Sequence, residues 1–354
     1  MTSIHAHSRG ALRAAAGLGI VGLLAGCGVS AQTGSSATQE EVTVTNCGQE
    51  VSLPSPAERM YITGDGNMLA MVLALGAQDQ IAGVTGLDDG KAALATMYGR
   101  DVVDALPVAS KDYPTMENAI AHEPDLVFSG WNYGFTEEKN FTPDALAEHD
   151  IDSYLLSESC RQSDGQRGTM PPWEALYTDM ENLGQITGHE KKADEVVDDI
   201  KERLKALEDA PQPKKEPTVF LFDSGTKDIF TSGSFGGPQA IIEAAGARNA
   251  TADVKDTWTE VSWERLVASK PDFFAFVDYP GQSYRQKIRV LQTNPATKDL
   301  PAVKQERFIN LPISAWTSSP LNIDAAEQLR AALEQHHLVP ASDIEPEHDL
   351  RPGH

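Results

Sequence analysis

The feature that most restricts the fold is an internal repeat. Residues 115–128, TMENAIAHEPDLVF, align position for position with residues 262–275, SWERLVASKPDFFA. Each copy begins with a hydroxyl residue, Thr115 or Ser262, and carries an acid two positions on, Glu117 or Glu264. A hydroxyl in that place caps a helix by accepting a free backbone N–H, and an acid in the first turn suits the positive end of the helix dipole. Pro124 and Pro271 end the helix, because proline disfavours helical geometry at the residue before it. The apolar runs that follow, Leu126–Phe128 and Phe273–Val277, are continuous enough to be strands buried on both faces, as in a parallel sheet.

A second pair of segments repeats as well. Residues 66–77 and 237–247 both read as helices opened at a glycine-containing turn and closed by Gly76 or Gly246. The strands Met60–Ile62 and Thr218–Phe222 precede them. Strand, helix, strand, helix thus recurs in each half, which predicts an α/β fold of two Rossmann-like lobes with mostly parallel sheets. An insertion around 87–108 in the first half accounts for the unequal spacing of the two pairs. Between the halves, Ala193, Val196, Val197, Ile200, Leu204 and Leu207 fall at helical spacing among charged residues. They predict one long helix that ends before Pro211. The expected boundaries are an N-terminal lobe at 42–188, a linker helix at 189–212, a C-terminal lobe at 213–340 and a disordered acidic tail at 341–354.

The amino terminus places the chain in the cell. Residues 1–26 carry Arg9 and Arg13, no acid, and an apolar stretch from Ala14 to Ala25 too short to span a bilayer. This is the pattern of a signal peptide. The ending Leu24-Ala25-Gly26-Cys27 resembles the lipobox of bacterial lipoproteins, which makes Cys27 the expected site of lipidation. Residues 27–41, rich in Ser, Thr, Gly and Gln, then read as a flexible tether. An extracytoplasmic chain anchored to the cell membrane in this way lies in an oxidising compartment, where the two remaining cysteines, Cys47 and Cys160, are expected to pair. The alternative is two free thiols. The formal charge of −23 argues against nucleic-acid binding.

Taken in order, the lipobox, the tether, the two E-x-x-[IVL]-x-x-x-P-D blocks, and the run Leu183-Gly184-Gln185-Ile186-Thr187-Gly188 leading into a long helix resemble one family. The chain is similar to the substrate-binding lipoproteins of ABC importers, in the long-helix class that serves ferric siderophores, cobalamin and haem. The resemblance implies a monomer without intrinsic cofactor or enzymatic activity, holding a small-molecule metal chelate in a cleft between the lobes. It implies delivery to a membrane permease and its ATPase, with Glu117 and Glu264 docking on the permease. The expected ligand is an iron(III)–siderophore chelate; cobalamin and haem are the alternatives.

Ligands of open α/β sheets bind at the carboxyl ends of the strands. The loops expected there supply the ligand-binding candidates Trp131, Tyr133, Arg161, Phe235, Tyr279, Tyr284 and Trp316, with Trp258 just ahead of the second block. Core packing is the competing reading for each aromatic. A surface hydrolase is a weaker alternative, since no Gly-x-Ser-x-Gly turn occurs. A direct metal-ion carrier is weaker too, because after residue 26 the folded body supplies only His122, His149 and His189 as imidazoles, with His336, His337, His348 and His354 in or beside the tail, and no residue is assigned as a metal ligand.

Overall fold

The computed structural model describes residues 40–352; the expected signal peptide, Cys27 and the tether up to residue 39 lie outside the described residues. An antiparallel hairpin of β1 (Glu41–Asn46) and β2 (Gln49–Pro54) comes first. There follow β3 (Met60–Ile62), α1 (Asn67–Ala74), β4 (Ile81–Thr85), α2 (Leu87–Tyr98), α3 (Arg100–Asp104), β5 (Val108–Ser110), α4 (Met116–Ala121), β6 (Leu126–Ser129), α5 (Pro143–Ala147) and β7 (Asp152–Leu155). The five strands β5-β4-β3-β6-β7 pair in that order, all parallel. Helices α2 and α3 occupy the stretch where the sequence spacing called for an insertion.

Two helices, α6 (Pro172–Thr187) and α7 (Glu190–Asp209), lead out of this lobe. The second half runs β8 (Thr218–Phe222), β9 (Ile229–Ser232), α8 (Gly237–Ala244), β10 (Arg248–Asn249), β11 (Trp258–Val261), α9 (Trp263–Ser269), β12 (Phe273–Asp278), α10 (Tyr284–Thr293), α11 (Pro301–Lys304), β13 (Phe308–Pro312), α12 (Ile313–Trp316) and α13 (Leu321–Gln335). Its main sheet, β10-β8-β12-β13, is also parallel, and β9 pairs antiparallel with β11. The fold is therefore α/β with two parallel-sheet lobes and a long helix between them.

The apolar runs of the sequence explain why these sheets are buried on both sides. Along β8 and β12, Val219, Leu221, Phe273, Ala275 and Val277 face the main core. Phe220, Phe222, Phe274 and Phe276 alternate with them and form a separate aromatic cluster on the other face. In α7, Ala193, Val197, Ile200 and Leu207 are buried while the charged positions between them, Arg203 apart, face solvent, as a 3.6-residue period requires. The repeated blocks are capped alike. Thr115 Oγ1 accepts the Asn118 N–H and Ser262 Oγ accepts the Arg265 N–H, each at 3.2 Å.

The carboxy-terminal segment, expected to be a disordered acidic tail, instead lies along α13. The His348 N–H donates to Asp324 Oδ1 at 2.9 Å and the Leu350 N–H to Gln328 Oε1 at 3.2 Å. Leu350 is buried in the main core. Arg203 of α7 pairs with Asp324 (3.0 Å) and Glu327 (2.6 Å) of α13 and with Glu347 of the tail (3.3 Å). Composition alone reads this stretch as disordered; an apolar anchor and buried polar partners on α13 overrule it.

Polar bonds tie the lobes together. Cys47 and Cys160 form the expected disulfide, which links the β1–β2 turn to the loop after β7. That loop reaches the second lobe. Arg167 pairs with Asp256 at 3.2 Å and donates to the Trp258 carbonyl at 2.5 Å, and Asn67 Nδ2 donates to the Ser318 carbonyl at 3.4 Å. Among the described residues no helix is long and apolar enough to cross a membrane.

Candidate functional site

A cavity of about 820 Å³ opens between the lobes, within the range typical of small-molecule clefts. Its wall is built from segments that leave the carboxyl ends of parallel strands: Asp65 after β3, Tyr133 after β6, Asp223 after β8, Tyr279 after β12 and Thr317 after β13. This is where the strand order of an open α/β sheet leaves backbone groups and side chains free to face a ligand. Three of the eight expected ligand residues line it: Tyr133, Trp258 and Tyr279. Trp258 stacks on Phe230, which also lines the wall, with ring centres 5.9 Å apart.

The other five stand elsewhere, each for a local reason. Trp316 is fully buried, with its indole N–H donating to the Phe276 carbonyl at 3.2 Å, so it belongs to the core. The Tyr284 ring packs edge-on against Phe276, 5.4 Å away, and lines a different hollow beside Phe308. Phe235 lies against Gly168, where a Cβ would come within 2.1 Å of it. Arg161 stacks 3.6 Å above the Trp131 ring and pairs with Glu137, which satisfies the two candidates with each other outside the cavity wall.

Several wall residues were not singled out from sequence, among them the charged Asp65, Arg167, Asp223, Lys287 and Arg289. Asp65 sits between Gly64 (φ 97) and Gly66 (φ 90) in a left-handed turn leading from β3 into α1. A Cβ at Gly66 would approach the Gly90 Cα to 3.0 Å, and one at Gly64 the Met68 Cε to 2.5 Å. Glycine at both positions therefore lets the turn press against α2 and hold Asp65 inward. Asp65 is 7 % exposed, and burial, with the charges of Asp89 and Asp223, pushes its carboxyl up to about 7. The Tyr113 hydroxyl donates to Asp65 Oδ1 at 3.4 Å and also shares a hydrogen bond with Tyr279 from the opposite lobe. Asp223 is likewise raised by burial, against the pull of Ser224 and Lys287.

Two of the three basic groups at the wall, Lys287 and Arg167, are engaged with protein groups. Lys287 is buried and donates to the Val277 carbonyl; burial lowers its pKa despite the nearby Asp223 and Asp278. Arg167 is held by Asp256 and the Trp258 carbonyl. Arg289 lies at the exposed rim.

Beneath the wall is Glu158, 1 % exposed. Its carboxylate, on the N-terminal lobe, accepts the N–H groups of Gly237 (3.3 Å) and Ser318 (2.6 Å) from the C-terminal lobe and the Tyr133 hydroxyl at 3.4 Å. Burial raises it to about 7 even against these donors. Glu117 and Glu264 lie far from this chemistry, exposed in the first turns of α4 and α9.

Two parallel-sheet lobes with a preformed cleft of aromatic and oxygen-bearing side chains describe a binding protein, and the chain belongs to the periplasmic binding protein family, whose model matches residues 62–315. It is a substrate-binding protein and not an enzyme. Among its relatives is an uncharacterised ABC transporter substrate-binding lipoprotein of Bacillus subtilis strain 168, 26 % identical over 88 % of this chain and 93 % of the relative. A vitamin B12-binding protein of Yersinia pseudotuberculosis is 23 % identical over 62 % of this chain and 70 % of that one. A solved structure described as an ABC-type Fe3+-hydroxamate transport system, from Saccharomonospora viridis, shares the fold with a TM-score of 0.66 and 20 % identity, over 82 % of this chain and 98 % of that one.

Proposed function

We propose that this protein is the extracytoplasmic binding lipoprotein of an ABC importer, anchored through Cys27, and that it captures an iron(III)–siderophore complex for delivery to a permease. The observation that carries the reading is the cleft itself. At about 820 Å³, walled by Tyr133, Trp258, Phe230 and Tyr279, it suits a bulky chelate with apolar and polar faces. Glu117 and Glu264, exposed on equivalently capped helices of the two lobes, are the docking points for the permease. The Fe3+-hydroxamate description of one structural relative supports iron as the cargo metal. Cobalamin is the second reading, favoured by the B12-binding relative.

Thermal-shift and tryptophan-quenching titrations with a ferric tris-hydroxamate, a ferric tris-catecholate, cobalamin and haem test this directly. Stabilisation by a ferric siderophore is expected, by RT ln(1 + [L]/Kd). Stabilisation by cobalamin or haem alone would overturn the iron assignment. For docking, charge reversal at Glu117 and Glu264 together should abolish uptake in cells while the purified protein keeps its ligand affinity; unchanged uptake would sink that part.

A further inference from the structure

We infer that the cleft selects for a chelate bearing a positive charge, and that Asp65 and Asp223, facing the cavity from opposite lobes, form the subsite for an alkylammonium or similar cationic donor on the cargo. The inference rests on the carrier reading above and specifies the chemistry of its ligand.

Two independent observations point the same way. The first is a hydrogen-bonding vacancy. Asp65 lines the cavity while more than nine-tenths buried, and among the described residues only its Oδ1 receives a side-chain hydrogen bond, from Tyr113 at the long distance of 3.4 Å. A buried carboxylate ordinarily collects several donors, so its remaining oxygen is available to a donor on the ligand. The second is how the surrounding groups are arranged. The groups facing Asp65 are Asp89 at the start of α2, Asp223 after β8, Tyr113 ahead of α4, Tyr133 after β6 and Tyr279 after β12. None of these is a cation. Lys287 of α10, the nearest ammonium to Asp223, is buried and turned onto the Val277 carbonyl, Arg167 is held by Asp256, and Arg289, the remaining cation of the wall, stands at its exposed rim.

An anionic chelate would therefore meet Asp65 with no cation facing it and Asp223 only partly offset by Lys287, whereas a cation would relieve the repulsion between the two carboxylates. Tyr113, Tyr279, Phe230 and Trp258 line the same cavity, and aromatic rings there suit a cationic guest. Aromatic walls alone would accept a neutral chelate as readily. It is the pair of carboxylates that discriminates.

The test compares a linear ferric tris-hydroxamate ending in a primary ammonium with its N-acetylated, neutral counterpart and with an anionic ferric tris-catecholate, each titrated calorimetrically at pH 8. The ammonium chelate should bind at least about tenfold more tightly than the acetylated one, and the catecholate more weakly than either. In Asp65→Asn and Asp223→Asn, with folding checked by circular dichroism melts, the ratio of the two hydroxamate affinities should fall towards one. Equal affinities in the unaltered protein, or a ratio unmoved in both variants, would overturn the inference while leaving the siderophore reading standing. A catecholate that binds most tightly would do the same. Failure of all three chelates to bind would overturn both.

Discussion

The carboxylate of Glu158 in the N-terminal lobe accepts the backbone N–H of Ser318 in the C-terminal lobe at 2.6 Å, deep beneath the cleft floor. Its other oxygen takes the N–H of Gly237 at the start of α8. One side chain thus satisfies two main-chain donors that otherwise have no partner where the lobes meet. Replacing Glu158 with Ala leaves both buried, at about 1–3 kcal/mol each. Urea denaturation of Glu158→Ala is expected to show a loss of about 2–6 kcal/mol, and small-angle scattering a wider separation of the lobes. Stability and dimensions both equal to those of the unaltered protein would refute the role of this contact.

Three buried carboxylates, Asp65, Glu158 and Asp179, are each raised to about 7, chiefly by burial. In the unfolded chain they titrate in the ordinary carboxylate range, so between about pH 4 and 7 the folded state binds more protons. Their contribution to stability is complete below the unfolded values and is lost as the pH climbs to about 7. The ligand-free protein should therefore melt higher at pH 5 than at pH 8, by at least about 2 °C, the shift that roughly 1 kcal/mol makes in a chain of this size. Asp65→Asn, which mimics the protonated form, should flatten part of the slope. A melting temperature that rises from pH 5 to pH 8 would contradict the assignment.

The Cys47–Cys160 bond closes a loop spanning a sequence separation of 113. The chain-entropy model gives about 4–5 kcal/mol for a loop of that length. Cys160 is two residues from Glu158, so the crosslink also steadies the segment that meets the second lobe. The double variant Cys47→Ser/Cys160→Ser should unfold at markedly lower denaturant and bind cargo more weakly, whereas reductant should weaken only the unaltered protein. An identical denaturation midpoint with and without reductant would show that the bond does not bear on the fold.

Much of the architecture was legible because it is written in local terms. Thr115 and Ser262 announce helix starts, Pro124 and Pro271 announce ends, and the uninterrupted apolar runs after them announce buried parallel strands; α4, α9, β6 and β12 follow. Long-range relations were harder to read. Trp316 and Trp258 look alike in sequence, yet Trp316, the last residue of α12, hydrogen-bonds into the core, while Trp258, the first residue of β11, lines the cleft. Asp65, Asp223 and Glu158 fall in loops expected at the cleft, but their burial depends on partners distant in sequence, as Glu158 shows by accepting from Gly237 and Ser318. The one available signal was Gly64-Asp65-Gly66, since glycines flanking a lone acid between strand and helix mark a turn pressed close to something else. Leu350 was missed for a related reason: an acidic, proline-bearing segment reads as solvated until α13 supplies the groove that takes its one leucine.

The ties that join the lobes run from protein group to protein group: Glu158 to Gly237 and Ser318, Arg167 to Asp256 and Trp258, Asn67 to Ser318. Binding energy is consequently not consumed in drawing the lobes together, which favours fast and tight capture. Release runs the other way. To empty the cleft by parting the lobes, these contacts have to be broken from outside, so mechanical work falls on whatever receives the cargo, and only a receiver coupled to an energy source can perform it on every cycle.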